Sequence, residues 1–203
     1  MKCEQCNNKF CKTLDETTKK QLCNYSVIVT QKRKQVEPFH IYKDSIEIIL
    51  EGFCIVQTYS ADGKRLFNTI MVPGDIIGSY LNFDAFENSP IYDIVALTDV
   101  KKCIIPKKVY DKLFHNNVSF ANAIAFNLTE MLVRLTRWTF LHSLTGSERI
   151  TYVCNELKKL GLADLNNLTQ EDIAFIAGVS RVTVIRAMKK ILLAENKNEN
   201  FFP

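Results

Sequence analysis

Residues 168–191 read LTQEDIAFIAGVSRVTVIRAMKKI and have the spacing of two short helices joined by a sharp turn. Thr169 can cap the first helix, and Asp172 at the third helical position completes a start that resembles a capping box. Gly178 lies where the chain has to turn sharply, because glycine adopts backbone conformations that other residues avoid. Ser180 can then cap the second helix. The stretch therefore predicts a helix-turn-helix.

The second helix of this motif concentrates positive charge. We expect it to bury Val184 and either Ala187 or Met188. From Gly178 to Lys190 every charged residue is basic, whereas the whole chain has a net charge of only +4. Arginines near the start of such a helix can read guanine in the major groove, and lysines further along can meet phosphate. A helical hairpin with a solvated basic face is the alternative. The predicted DNA-contacting residues are Ser180, Arg181, Val182, Ile185, Arg186, Lys189 and Lys190.

An apolar stripe runs along residues 117–144, NVSFANAIAFNLTEMLVRLTRWTFLHSL. Its members are separated by alternating steps of four and three residues, which is the seam spacing of a coiled coil. We therefore expect one long helix that pairs with a second copy of the chain. Docking of the stripe on the chain's own β-domain is the alternative. The predicted dimer-interface residues are Ile124, Leu128, Met131, Leu135, Trp138 and His142.

Residues 46–106 contain short runs of strand-forming residues separated by turn signals: IEIIL, FCIVQTY, RLFNTIMV, IYDIVALT and KKCIIP. Asp62-Gly63 between two of these runs predicts a tight type I′ hairpin turn, since both residues tolerate a positive φ. Regularly spaced short strands are typical of a β-sandwich or barrel. We therefore predict an α+β fold with an N-terminal antiparallel β-roll, a long dimerisation helix and a C-terminal helix-turn-helix domain.

Composition narrows the class of protein. The chain has 203 residues, of which 47% are hydrophobic, so it can bury a sizeable core. No stretch approaches the ~20 apolar residues that span a bilayer, and no secretory signal is present. We therefore expect a cytoplasmic protein, whose seven cysteines stay reduced. A metal-dependent β-roll enzyme needs clustered histidines, but the chain has only three and no His-x-His pair. We expect no enzymatic activity.

The roll, the long helix and the helix-turn-helix together resemble the Crp/Fnr family of bacterial transcription regulators. The resemblance runs from about Ser45 to Lys190, and residues 50–78 and 169–190 carry its specific motifs. It implies a jelly roll similar to cyclic-nucleotide-binding domains that senses an effector, in a homodimer that binds palindromic double-stranded DNA, works with RNA polymerase and does not involve a membrane. The implied divisions are a cysteine-rich arm (1–23), the sensor roll (24–110), a dimerisation helix region (111–145) and a DNA-binding domain (146–203).

The sequence departs from the family pattern in three places. Val182 replaces the glutamate that reads cytosine in many members, so a different half-site is expected. Only ILLAENKNENFFP, residues 191–203, follows the motif, so the wing that members usually have is truncated or missing. Gly78 is followed by Ser79 rather than glutamate, and residues 86–93, FENSPIYD, contain no arginine for a cyclic phosphate. The resemblance therefore disfavours cyclic AMP as the effector.

The chain begins MKCEQCNNKFC, with three closely spaced cysteines. In the Fnr branch of the family, three such cysteines and one from a late strand of the roll hold an oxygen-labile 4Fe–4S cluster. Cys3, Cys6 and Cys11 resemble the first three ligands, and Cys103 resembles the fourth. A zinc ion on the same thiolates, oxidation of a thiol pair, and a small organic effector in the roll with incidental cysteines remain alternatives. Substitute fourth ligands are Cys23 and Cys54.

Overall fold

The computed structural model describes residues 8–38, 44–78, 92–162 and 168–189. The chain divides into two compact units, Met1–Thr136 and Arg137–Pro203. Within the described ranges no helix has the length and apolar character needed to cross a bilayer.

The first unit contains an antiparallel β-roll, as predicted. Its described strands form two four-stranded sheets, one in the order β1-β8-β3-β6 and the other in the order β2-β7-β4-β5. Every described strand pair is antiparallel. The strands are β1 (Val27–Gln31), β2 (Val36–Pro38), β3 (Ser45–Glu51), β4 (Cys54–Tyr59), β5 (Arg65–Met71), β6 (Ile76–Ile77), β7 (Asp93–Ala96) and β8 (Val100–Pro106).

Helices precede and follow the roll. Two short N-terminal helices, which the sequence did not predict, lie before β1, and a long helix begins shortly after β8. A 3₁₀ helix, Leu141–Ser143, follows the long helix directly. The α-helices are α1 (Lys9–Lys12), α2 (Glu16–Tyr25), α3 (Lys107–Asn116), α4 (Val118–Phe140), α5 (Gly146–Lys159), α6 (Gln170–Ala177) and α7 (181–189).

The sheet that contains β8 has buried side chains on both faces. Successive residues of a strand point to opposite faces, so Val100 joins a cluster formed by both sheets, whereas Cys103 joins a second cluster formed with the helices. We call the first cluster the roll core: Ile49, Cys54, Val56, Met71, Ile77, Ile94, Ala96 and Val100. The second is the helix-side core: Phe10, Cys11, Leu14, Leu22, Ile46, Ile48, Leu50, Ile76, Cys103, Ile105, Tyr110, Leu113, Phe120 and Ile124.

The hairpin between β4 and β5 differs from the predicted type I′ turn. A type I′ turn needs a positive φ at both central residues. Gly63 has a φ of 78°, but Asp62 does not have a positive φ. The loop is also longer, because the backbone N–H of Ser60 donates to the carbonyl of Lys64 at 2.9 Å. The Ser60 hydroxyl accepts a bond from the Lys64 backbone N–H at 3.1 Å.

The long helix α4 is joined to the roll by buried polar groups at the corner between β5 and β6. Asp75 and Arg134 form a buried ion pair. The amide of Asn127 donates to the carbonyl of Gly74 at 2.9 Å and accepts from the backbone N–H of Ile76 at 3.3 Å. Burial raises the pKa of the Asp75 carboxyl, while Arg134 acts in the opposite direction. These contacts determine which face of α4 lies on the roll.

Replacing Arg134 by Met should strongly destabilise the protein, because the buried Asp75 carboxylate loses its cation. We expect the free energy of unfolding, measured by urea denaturation, to fall by about 3 kcal/mol at neutral pH. The loss should shrink at mildly acidic pH, because a protonated Asp75 needs no cation.

Lys101→Met is the matched control for this substitution. It removes the exposed Lys101–Glu51 ion pair, whose shortest N–O distance is 2.8 Å, and should change the free energy of unfolding by less than about 1 kcal/mol. Equal effects of the two substitutions would contradict a special role for the buried pair.

Candidate functional site

The first helix of the helix-turn-helix begins and ends at the predicted residues. The Thr169 hydroxyl accepts the backbone N–H of Asp172 at 3.2 Å, and the Asp172 carboxylate accepts the backbone N–H of Thr169 at 2.9 Å. This reciprocal capping box starts α6. Gly178 ends α6 with a φ of 62° and a ψ of 38°, a left-handed conformation that favours glycine. The predicted caps of α6 are confirmed.

The second helix, α7, begins after Ser180, whose hydroxyl accepts the backbone N–H of Thr183 at 3.2 Å. Val184 and Ala187 are buried, as predicted. This burial holds one face of α7 on its own unit, so the opposite face is presented to solvent. Exposed on α7 are Arg181, Val182, Arg186 and Lys189, while Ile185 is half-buried. Lys190 lies outside the described residues, as does the predicted truncated wing, residues 191–203.

Arg181 is held by the preceding helix. One of its guanidinium nitrogens lies 3.0 Å from a carboxylate oxygen of Glu171, and its Nε donates to the side chain of Gln170 at 3.3 Å. Both members of the ion pair are well exposed, so the pair is weak and can exchange for another partner. The contacts of Gln170 and Glu171 with Arg181 were not predicted, although both residues follow the predicted cap Thr169 directly in the sequence.

Three residues of the predicted pairing stripe, Ile124, Leu128 and Met131, pack within the first unit. Ile124 is only 2% exposed and belongs to the helix-side core, against which Leu128 also packs. Met131 packs against the roll core. Ile124 is thus covered by its own chain, and Met131 is partly covered, as the alternative of docking on the β-domain expects; pairing through the rest of the stripe stays a prediction. The other predicted members are half-buried Leu135, buried Trp138 and exposed His142, which lies beyond α4 in the 3₁₀ helix.

A different face of α4 carries exposed apolar side chains. Phe126, Val133 and Phe140 recur every seven residues and are 55%, 46% and 54% exposed. Val118 and Leu132 are exposed at 77% and 60%. A group of large apolar side chains in water marks an interaction surface, and a seven-residue repeat is typical of helix pairing. We call these residues the exposed face of α4. The spacing of Phe126, Val133 and Phe140 is visible in the sequence, but the predicted dimer interface did not include these residues.

Two of the four predicted cluster ligands are described, and they share a core. Cys11 on α1 and Cys103 on β8 are both buried members of the helix-side core. The side-chain amide of Asn8 donates to the sulfur of Cys11 at 3.2 Å, a contact of the kind that stabilises a metal-bound thiolate. Thiolates in a largely apolar shell with an N–H donor fit an iron–sulfur cluster or a zinc ion. Cys3 and Cys6 lie outside the described residues.

The other cysteines have different environments. Cys23 on α2 is disulfide-bonded, whereas Cys11, Cys54, Cys103 and Cys154 form no disulfide. The expectation that every thiol stays reduced is therefore wrong for Cys23. Burial raises the pKa of the Cys54 thiol to about 12, so Cys54 is a poor substitute ligand. Within the described ranges no group of three or more His, Cys, Asp or Glu side chains forms a metal site.

The interior of the roll contains a buried charge cluster. Lys102 is fully buried and pairs with Glu47 at 2.8 Å and with Glu37. Burial lowers the pKa of the Lys102 ammonium, but the two carboxylates outweigh this effect and raise the pKa overall. Burial raises the pKa of Glu47. Lys102 is thus already neutralised, and a cyclic phosphate entering here would meet two carboxylates. Ser79 and residues 86–91 lie outside the described ranges.

Several solved structures share the fold of this chain. A protein from Eubacterium rectale, described as a putative Crp/Fnr-family transcriptional regulator, is 14% identical with a TM-score of 0.68, and the match covers 92% of this chain and 87% of that one. A cyclic nucleotide-binding domain containing protein from Listeria monocytogenes is 16% identical with a TM-score of 0.67, covering 85% and 84%. The c-di-GMP-responsive global regulator CLP from Xanthomonas campestris is 17% identical with a TM-score of 0.64, covering 89% and 93%.

No protein-family model and no curated protein matches the chain. At 14–17% identity the structural likeness establishes the fold, and the role of each residue has to be argued from its own chemistry and surroundings.

Proposed function

We propose that this chain, which has the fold of the Crp/Fnr-type transcriptional regulators, is a homodimeric, sequence-specific DNA-binding regulator that responds to oxygen or redox state. The observation that carries the proposal is α7, which buries Val184 and Ala187 and exposes Arg181, Arg186 and Lys189. A helix backed in this way and basic on its outer face is suited to the major groove. The protein is then a regulator and not an enzyme, as the sequence predicts.

In this proposal the exposed residues of α7 have separate tasks. Arg186 presents a guanidinium fork that matches guanine, and Val182 offers apolar contact to a thymine methyl. Arg181 leaves Glu171 and Gln170 for a second base or a phosphate, which is feasible because its ion pair is exposed. Lys189 meets phosphate and sets affinity rather than sequence preference. Two copies related by a two-fold axis would read a palindromic site with half-sites about one DNA turn apart.

Pairing of two chains is assigned to the exposed face of α4. Phe126, Leu132 and Val133 are too exposed for a helix in water without a partner. The opposite side of α4 is occupied by the roll through Ile124, Asn127 and the other docked residues. A second α4 packed on the exposed face would therefore leave the contacts within each chain intact.

Helix α1, which carries Cys11, contacts both the docked face and the exposed face of α4. The ring of Phe10 on α1 packs edge-on against Phe120 of α4, with centroids 6.0 Å apart. Lys9 forms an ion pair with Glu130 and lies 5.8 Å from the ring centroid of Phe126. Phe126 also belongs to the exposed face of α4. A change at Cys11 can therefore reach the pairing surface through neighbouring residues of α1.

Cys3, Cys6, Cys11 and Cys103 would hold a 4Fe–4S cluster in this proposal. Such a cluster supplies sensitivity to oxygen when it is bound. The chain's own part is to bring Cys103 of β8 to Cys11 of α1 in one apolar shell and to keep the Asn8 amide on the Cys11 sulfur. Zinc on the same thiolates is the redox-silent alternative.

A second candidate is a thiol switch without a metal, which the disulfide at Cys23 supports. A regulator that binds a small organic effector and ignores its cysteines is a third. RNA polymerase is proposed as a partner because regulators of this kind act on transcription. A protein that reads DNA has to share a compartment with the chromosome, so we also propose a cytoplasmic location.

Replacing Arg186 by Ala should weaken binding to a selected operator about a hundredfold or more, because each copy of the homodimer loses a guanine contact. The operator would be obtained by selection from random duplex DNA with the full chain, and affinities measured by fluorescence anisotropy at two salt concentrations. Non-specific, salt-sensitive binding should persist. Arg65→Ala, on the exposed β4–β5 hairpin, is the control and should bind the operator normally. Normal operator affinity of the R186A protein would contradict the assignment of α7 as the DNA-contacting helix.

Replacing Leu132 by Asp should raise the dimer dissociation constant about a hundredfold, because a C2 interface then buries two unpaired carboxylates. Sedimentation velocity over a range of protein concentrations measures this change. Leu66→Asp changes another exposed leucine, on β5, and should leave dimerisation unchanged. A fully dimeric L132D protein would show that pairing uses another surface.

Replacing Cys103 by Ser should abolish iron binding, whereas Cys154→Ser, in the second unit, should retain it. After anaerobic reconstitution with ferrous iron and sulfide under reducing conditions, the parent and C154S proteins should contain about four irons per chain. A colourless protein that contains one zinc per chain would contradict the proposal of an iron–sulfur cluster. Normal signal-dependent operator binding by a Cys3→Ser, Cys6→Ser variant would favour the organic-effector regulator instead.

A further inference from the structure

A cavity of about 540 Å³ lies between α2 and α3 in the first unit, well away from the roll interior. Its volume falls in the range of pockets that hold small organic molecules. Val109 and Leu113 give it an apolar wall, and Leu113 is buried. The exposed ring of Tyr25 lines it from α2. An occupant with an apolar body would therefore find complementary surface.

Two lysines give the cavity its charge. Lys108 and Lys112 are one helical turn apart on α3, both line the cavity and both are exposed. In the part of the chain that the structure describes, neither ammonium has an ion-pair or hydrogen-bond partner. The neighbouring Lys107, by contrast, pairs with Asp111 at 3.3 Å. The cavity thus has two cations available for a ligand.

One acid, Asp15, also lines the cavity, and its single charge offsets only one of the two lysines. The Asp15 carboxylate caps α2 by accepting the backbone N–H of Thr18 at 2.9 Å and the Thr18 hydroxyl at 2.6 Å. These bonds hold its pKa below the usual value. Asn117 donates to the Thr18 hydroxyl at 2.8 Å and so ties the two walls together. The carboxylate is committed to the helix start, while the lysines are not.

We propose that this cavity is a binding site for a small organic anion with an apolar body, such as an aromatic or branched carboxylate. The anionic group would lie between the ammonium groups of Lys108 and Lys112, and the apolar body would contact Val109, Leu113 and the ring of Tyr25. Binding here is separate from the DNA and cysteine assignments above, so it can be tested without DNA or metal.

The test compares 3-phenylpropionate with its neutral amide, 3-phenylpropionamide, by isothermal titration calorimetry on the full chain. The two probes share an apolar body and differ only in charge. We expect saturable binding of the acid, at least about tenfold tighter than that of the amide, because charge-assisted bonds to lysine are lost in the amide. Equal affinity of the two probes, or no binding of the acid, would overturn the proposal.

Two variants then locate the site. A Lys108→Gln, Lys112→Gln double variant should weaken acid binding about tenfold or more, and Gln21→Trp at the exposed rim should block both probes by filling the cavity. The control, Lys34→Gln with Lys64→Gln, removes the same charge from exposed loops elsewhere in the unit. Unchanged binding by the first double variant, or equal loss in the control, would show that the acid binds elsewhere. Matching urea denaturation curves would confirm that each variant is folded.

Discussion

The ion pair between Asp75 and Arg134 is the contact on which the arrangement of the first unit depends. Asp75 belongs to the corner between β5 and β6, and Arg134 belongs to α4, so the pair joins the roll to the long helix. Burial makes an unpaired charge costly at this place, and the pair is therefore a strong constraint on how α4 can rotate. Asn127, about two turns before Arg134 on α4, adds a second polar link to the roll. The orientation of α4 in turn decides which apolar residues remain exposed.

Most of the strands and both helices of the helix-turn-helix could be predicted because their signals are local. Runs of strand-forming residues between turn signals predicted β3, β4, β5, β7 and β8, and the capping residues Thr169 and Gly178 predicted the start and end of α6. The short helices α1 and α2 could not be predicted in this way. Their sequences are polar and short, and α1 is held by packing of Phe10 against Phe120, a contact more than a hundred residues distant in sequence.

The long helix shows where periodicity is ambiguous. α4 has two apolar faces within 23 residues: steps of four and three mark the docked face, whereas steps of seven mark Phe126, Val133 and Phe140 on the exposed one. Spacing alone identifies an apolar face but does not say whether the roll or another chain covers it. The deciding contacts, Asp75 with Arg134 and Gly74 with Asn127, are formed between segments far apart in sequence. The charge cluster around Lys102 was missed for the same reason, because Glu37, Glu47 and Lys102 meet only when three strands assemble.

Gly74 has a consequence for the order in which the molecule folds. A side chain at this position would come within 3.1 Å of Lys9 and 3.2 Å of the backbone of Phe10, so α1 fits directly on the finished corner. Lys9 also pairs with Glu130, 121 residues away. Contacts of such long range form late, after the roll and α4 are in place. Segments that dock last on a completed surface are also among the first to detach in local unfolding. We therefore expect α1 to dock after the corner at Gly74 has formed, and to be among the first elements lost in local unfolding.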